Sequence, residues 1–258
     1  MFIDSHCHLD RIDLKDFDNN FDQLMLQAEQ AGVGKMLCVC ITLEAFEAMA
    51  QLTDHYPNVF LSVGVHPSEQ GSPEPTVDNL LTMAARSKVV AIGETGLDYH
   101  YVKDAPEWQR ERFRTHIRAA LEIGKPLIVH SRDAREDTIR ILKEEGAERV
   151  GGVMHCFTED QAMADHALSL GFAISFSGIV TFKSAAVLRE VARNIPDDYL
   201  LIETDSPYLA PVPYRGKQNH PALVPHVAEC LANVRDTTVE HIAEITRANF
   251  DRIFGTKA

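Results

Sequence analysis

Eight short segments rich in apolar and β-branched residues recur along this chain, each closed by a polar turn, with longer stretches of helical spacing between them. They are FIDSHCH (2–8), KMLCVCI (35–41), VFLSVGVHP (59–67), VVAIGETGLD (89–98), PLIVHSR (126–132), GGVMHCF (151–157), FAISFSG (172–178) and YLLIETDSP (199–207). Helix candidates include LKDFDNNFDQLMLQAEQAG, TLEAFEAMAQLTDHY, PEWQRERFRTHIRAALEIGK with Pro106 near its start, and REDTIRILKEEG, which Gly146 is expected to stop. Two further helical stretches follow the eighth strand. Alternating strands and helices make parallel βαβ units, and eight of them in 258 residues match the count and size of an α/β fold of the (β/α)8 TIM barrel class. A doubly wound open sheet is the alternative. No Gly/Ser linker, low-complexity run or sequence repeat divides the chain, so a single domain over 1–258 is expected.

The same strands limit where the protein can work. Apolar runs reach only about six residues, as in MLCVCI, far short of the roughly 18 that a membrane helix needs. The opening MFIDSHCHLD lacks the basic and apolar regions of a secretory signal, and the odd count of 5 cysteines, with no CxxC, suits a reducing compartment. A cytoplasmic protein without membrane contact is expected, and no obligate protein partner is inferred. A formal net charge of −13 opposes the broad basic interface of a sequence-reading DNA-binding protein, while leaving room for a local phosphate site.

Placed on the strand count, the metal-type residues converge. His6 and His8 close the first strand, Glu94 the fourth, His130 the fifth, His155 the sixth and Asp205 the eighth. The C-terminal rim of a parallel barrel is where side chains from several strands meet. Residues two apart share a strand face, so His6 and His8 point inward together and Cys7 points outward. The same alternation turns Cys156 away from the axis, and Cys38 and Cys40 read as core. Four imidazoles and two carboxylates suit two divalent ions better than one, because a single catalytic zinc usually takes three protein ligands. Glu94 is the candidate bridge, and Asp205 falls to the ion held by His6 and His8.

Further positions follow with alternatives left open. His66 in GVHP either contacts substrate or transfers a proton, or is structural before Pro67. Arg132 either clamps a phosphate or pairs with a loop. Arg215 and Lys217 are either flexible phosphate contacts or ordinary loop charge. Asp98 is a candidate partner for a ligand histidine. Asp4 is expected to be a buried polar residue below the metals, with its partner unidentified. The other seven histidines, among them His116 and His220, read as surface or helix residues.

The segments DSHCHLD, GVHP, IGETGLDY, PLIVHSRDA, GGVMHCF, SFSGIVTF and LLIETDSPYLAPVPYRGKQN resemble, in order and over nearly the whole chain, the TatD family of metal-dependent deoxyribonucleases, in particular its YcfH-like branch. The resemblance implies a TIM barrel of the amidohydrolase-related, metal-dependent hydrolase type, with ligands at His6, His8, Glu94, His130, His155 and Asp205. It also implies hydrolysis of phosphodiester bonds in DNA, and the leading expectation is an exonuclease-like deoxyribonuclease acting on DNA ends or oligonucleotides. A metal-activated hydroxide would attack phosphorus, Asp205 would orient or deprotonate it, and His66, Arg132 and Arg215 would contact substrate. The two ions are expected to be Zn, Mn or Mg. The rival reading is an amidohydrolase or phosphotriesterase-type enzyme that cleaves a small amide, lactone or ester.

Overall fold

The computed structural model describes residues 1–71, 73–100 and 106–256. Eight strands lie side by side in sequence order, each parallel to the next: β1 (Phe2–Cys7), β2 (Val33–Cys38), β3 (Val59–Val63), β4 (Val89–Asp98), β5 (Leu127–Arg132), β6 (Gly152–Met154), β7 (Phe172–Phe176) and β8 (Leu200–Ile202). The open-sheet alternative is excluded by how the ends meet. Asp205 N–H donates to His6 O at 2.9 Å and His8 N–H to Ser206 O at 2.8 Å, so the segment leaving β8 bridges to β1 and brings the sheet round into a nearly closed barrel.

Helices cover the barrel: α1 (Phe21–Gln30), α2 (Phe46–Leu52), α3 (Val77–Ala84), α4 (Glu107–Ile123), α5 (Arg135–Glu145), α6 (Gln161–Ser169), α7 (Ala186–Asn194), α8 (Val224–Val234) and α9 (Val239–Phe254). Their apolar faces and the outward faces of the strands form one core, in which Phe46, Phe113, Phe172, Phe176 and Phe250 are fully buried. Gly146 ends α5 in a left-handed conformation (φ 72°), as its type and position predict. The long helix expected before β2 is broken instead. A 3-10 turn at Leu14–Phe17 is cut off by Asp18 and Asn19, both left-handed at φ 54° and 53°, before Asn20 caps α1 through Asp22 N–H. None of the helices among the described residues is long and apolar enough to cross a membrane.

Six of the eight strands stop earlier than their apolar runs suggest. His66, His155 and Asp205 therefore lie just beyond the ends of β3, β6 and β8. They are still tied to neighbouring strands, since His66 N–H donates to Ile41 O and His155 N–H to Val129 O, both at 3.0 Å. Glu94 departs the other way: β4 continues four residues past it, paired with β5 as far as Asp98 and Arg132. Glycine permits that close pairing. A Cβ on Gly96, at φ 128°, would stand 2.0 Å from His130 O, so no other residue fits here without moving the strand that carries His130.

Candidate metal centre

Alternation along β1, carried one residue past its end, puts Asp4, His6 and His8 on one side, and the bridge to the segment after β8 brings Asp205 beside them. His6 Nε2 stands 3.3 Å from His8 Nε2, 3.3 Å from Glu94 Oε2 and 3.7 Å from Asp205 Oδ1. His8 Nε2 stands 3.9 Å from Glu94 Oε2 and 3.4 Å from Asp205 Oδ1. Ligand atoms bonded to one ion at about 2.0–2.2 Å lie roughly 3.3–3.6 Å apart in a tetrahedron, so this set has the spacing a divalent cation requires. His8 Nδ1–H donates to Val39 O at 2.9 Å, which fixes the tautomer and leaves Nε2 facing the group. Asp205 sits at φ 55°, a conformation Asp tolerates, and buried Asn219 holds its loop by donating to Thr204 O (2.8 Å) and Tyr208 O (2.6 Å) on either side.

The other oxygen of Glu94 faces a second set of imidazoles. Oε1 lies 2.7 Å from His155 Nε2, 3.2 Å from His130 Nδ1 and 3.3 Å from His66 Nε2. Two of these rings are aimed from behind by a carboxylate. His130 Nε2–H donates to Asp98 Oδ2 at 3.1 Å, and His155 Nδ1–H to Glu203 Oε1 at 3.3 Å. His6 and His155 stack with ring centroids 3.9 Å apart. Two more donor atoms in this neighbourhood, His6 Nδ1 and Glu203 Oε2, are buried with no hydrogen-bond partner among the described residues. Three groups with metal-ligating spacing emerge among those residues: His6–His8–Asp205, His66–Glu94–His130 and His6–His155–Glu203.

Burial disfavours charge on all of these groups, yet their mutual attraction prevails at most of them. His155, among Glu94 and Glu203, is held well above the usual imidazole range, and His8 and His130 are also raised by neighbouring carboxylates. The surrounding imidazoles in turn hold Glu94 well below the usual carboxylate range and lower Asp205. His6 goes the other way, lowered by burial and by the adjacent His155. Buried carboxylates enclosed by imidazole nitrogens form a donor set that suits a divalent cation.

The centre floors a cavity of about 620 Å3, within the range of small-molecule sites. Arg132, at the exposed end of β5, lines it. Arg215 lies outside that lining, its guanidinium 3.9 Å above the Phe182 ring, and Lys217 stands 5.9 Å over Tyr214. Asp4 finds its partner in Thr204, accepting from its N–H (2.9 Å) and hydroxyl (2.5 Å), and burial pushes its carboxyl up to about 7. Cys156 corrects the expectation from alternation: it follows the end of β6 at φ 43° and lines the cavity, its N–H donating to Glu203 at 2.8 Å. Cys7, Cys38 and Cys40 are buried. Glu203 is a site residue that the sequence reading misses. Its signal is a carboxylate inside the apolar run YLLIE, where only a specific partner offsets the cost of burial.

Comparison with known proteins assigns the family. Residues 3–255 match the family described as TatD related DNase. The chain is a TatD-family metal-dependent hydrolase. It is 49% identical over 252 residues, 98% of this chain and 95% of the relative, to the Escherichia coli K12 metal-dependent hydrolase YcfH. It is 32% identical over 245 residues, 93% of each chain, to the Klebsiella pneumoniae 3'-5' ssDNA/RNA exonuclease TatD. The crystal structure of YjjV, a TatD homologue of Escherichia coli K12, superposes with a TM-score of 0.91 at 28% identity, covering 99% of this chain and 98% of the other.

In this TatD-family barrel, α4 holds the loop that carries His66. Arg112 donates to His66 O (3.1 Å) and Glu69 O (2.7 Å) while paired with Glu74. His116, expected on a surface or a helix, is a fully buried helix residue whose Nδ1–H donates to Arg112 O (2.7 Å) and whose Nε2 accepts from Val65 N–H (3.0 Å). Burial pushes the ring down to about 4 from 6.5. A histidine kept neutral by the fold stabilises it above the unfolded pKa and loses that contribution as pH falls from 6.5 through 4. The loss amounts to about 2 kcal/mol by pH 5. Urea unfolding at pH 7 and pH 5 should therefore show a smaller drop in stability for His116→Gln than for the native protein. Equal drops would rule out this role.

Proposed function

We propose that this hydrolase is a divalent-metal-dependent phosphodiesterase that removes nucleotides from DNA ends, acting as a single domain in the cytoplasm. The observation that carries the reading is Glu94, one buried carboxylate whose two oxygens face two different imidazole sets. His6, His8, Asp205 and Glu94 would hold one ion, and Glu94, His130 and His155 a second. Zn, Mn or Mg bound there would supply Lewis-acid charge and a water acidic enough to attack at neutral pH. Asp205, kept ionised by its neighbours, orients the attacking water and accepts its proton. Asp98 and Glu203 hold His130 and His155 in register. His66 and Arg132 steady the phosphate from the cavity wall, the guanidinium offering a planar fork of donors.

A net charge of −13 favours a strand end entering a cavity over a duplex lying along a groove, which would need many Lys and Arg contacts. The relative named as a 3'-5' ssDNA/RNA exonuclease supports a nucleic-acid chain end as substrate. The test uses metal-loaded protein, end-labelled single-stranded DNA and, in parallel, a panel of small amides and lactones. Release of mononucleotides that stops on chelation is expected. Turnover confined to an amide or lactone would replace the proposal with the small-substrate reading.

A further inference from the structure

We propose that Tyr208 and Arg11 form a second nucleotide subsite on the His8–Asp205 side of the cavity, a base stacking on Tyr208 and a flanking phosphate meeting Arg11. The inference rests on the nucleic-acid reading above and extends it from the reacting phosphate to the neighbouring residue of the strand.

Tyr208 is a large aromatic residue left 51% exposed at the cavity, its ring centroid 6.3 Å from that of His8. Its backbone is immobilised on both sides. The N–H donates to Asp205 O at 3.0 Å, and the carbonyl accepts from Asn219, which is itself fully buried. The ring is thus presented to solvent from a rigid support, beside the apolar residues Ile179 and Leu209 that line the same cavity. A lone exposed aromatic residue is ordinary. What distinguishes this one is the second observation, Arg11.

Arg11 ends the 3-10 turn Leu9–Arg11 that begins immediately after His8, is exposed, and lines the cavity. Its backbone N–H donates to His8 O at 3.0 Å, but its guanidinium makes no hydrogen bond or ion pair among the described residues, whereas those of Arg112, Arg114, Arg118, Arg140 and Arg235 are all engaged with carboxylates or carbonyls. An uncommitted guanidinium and an aromatic face together satisfy the two demands of single-strand binding: charge for the backbone and a surface for the base. Stacking of this kind tolerates any base, so the subsite gives affinity for strand ends without sequence preference.

The test compares a single-stranded oligothymidylate with an abasic oligonucleotide of the same length, using metal-loaded protein. Tyr208→Ala should raise KM for the oligothymidylate about tenfold or more, with a smaller change in kcat, and leave KM for the abasic strand as it is in the native protein. Tyr208→Phe keeps the ring face and should restore the native KM. Arg11→Ala should raise KM for both strands and reduce the salt dependence of binding by about one phosphate contact. A native KM in Tyr208→Ala overturns the subsite and leaves the exonuclease reading standing. If the native protein hydrolyses neither strand, the functional reading fails and the subsite fails with it.

Discussion

Glu94→Gln is expected to fold, to lose divalent-metal affinity by more than about 100-fold, and to retain almost no hydrolytic activity. The side chain is buried, and its two oxygens are within 4 Å of five imidazoles, those of His6, His8, His66, His130 and His155. Glutamine preserves volume and supports the same local packing, so the barrel core is left intact. It removes the negative charge and turns an N–H2 donor toward one of the two imidazole sets, which can then no longer share a cation with the remaining carboxylates. Two measurements check this: metal content after reconstitution and dialysis, and the rate on end-labelled DNA. Full metal content with a native rate would show that Glu94 links nothing.

The prediction depends on a convergence that is legible in the sequence because strand counting is robust. Each of β1 to β8 begins within two or three residues of its apolar run, and a parallel barrel necessarily gathers the residues at one end of its strands. What the pattern does not show is where pairing stops. Strand alternation assigns Cys156 to the outside, but Cys156 lies past the end of β6 with positive φ, where alternation no longer applies, and it faces the cavity. Glu94 is placed inside β4 and not at its end because Gly93 and Gly96 let that strand run flush against Ile128 and His130, a close approach visible only once the neighbour is known.

Residues supplied by loops and helices are harder to read for a related reason. Glu203 acts through His155, and Asn219 through the backbone at 204 and 208, so each gains its meaning from a partner at least eleven positions away. His116 is similar: nothing in ERFRTHIRAAL marks it as the acceptor for Val65 N–H. Asp98 is legible because it lies on the same strand as Glu94 and beside the strand of His130. Arg11 is not, because nothing in DSHCHLDR separates it from an ordinary surface charge until the 3-10 turn after His8 carries it to the cavity.

Asp205→Asn removes the proton-accepting carboxylate while leaving an amide oxygen in its place. Asparagine tolerates the left-handed φ of 55° as aspartate does, so the N–H bond to His6 O and the Asn219 clamp should survive and the melting temperature should stay close to native. The amide can neither accept a proton at neutral pH nor supply the charge facing His6 and His8. Loss of a positioned general base costs about 10²–10⁴-fold in kcat. We expect a fall of that size in the rate of nucleotide release, with KM little changed, because Arg132 and His66, the proposed phosphate contacts, line the cavity and are left in place. Asp205→Ala provides the contrast. It removes the same carboxylate but also places an ordinary residue in left-handed backbone, at a cost of about 1 kcal/mol or more, so it should lose thermal stability as well as rate. If the Asp205→Asn variant keeps the native kcat, the proton acceptor lies elsewhere and Asp205 serves the centre only as a ligand.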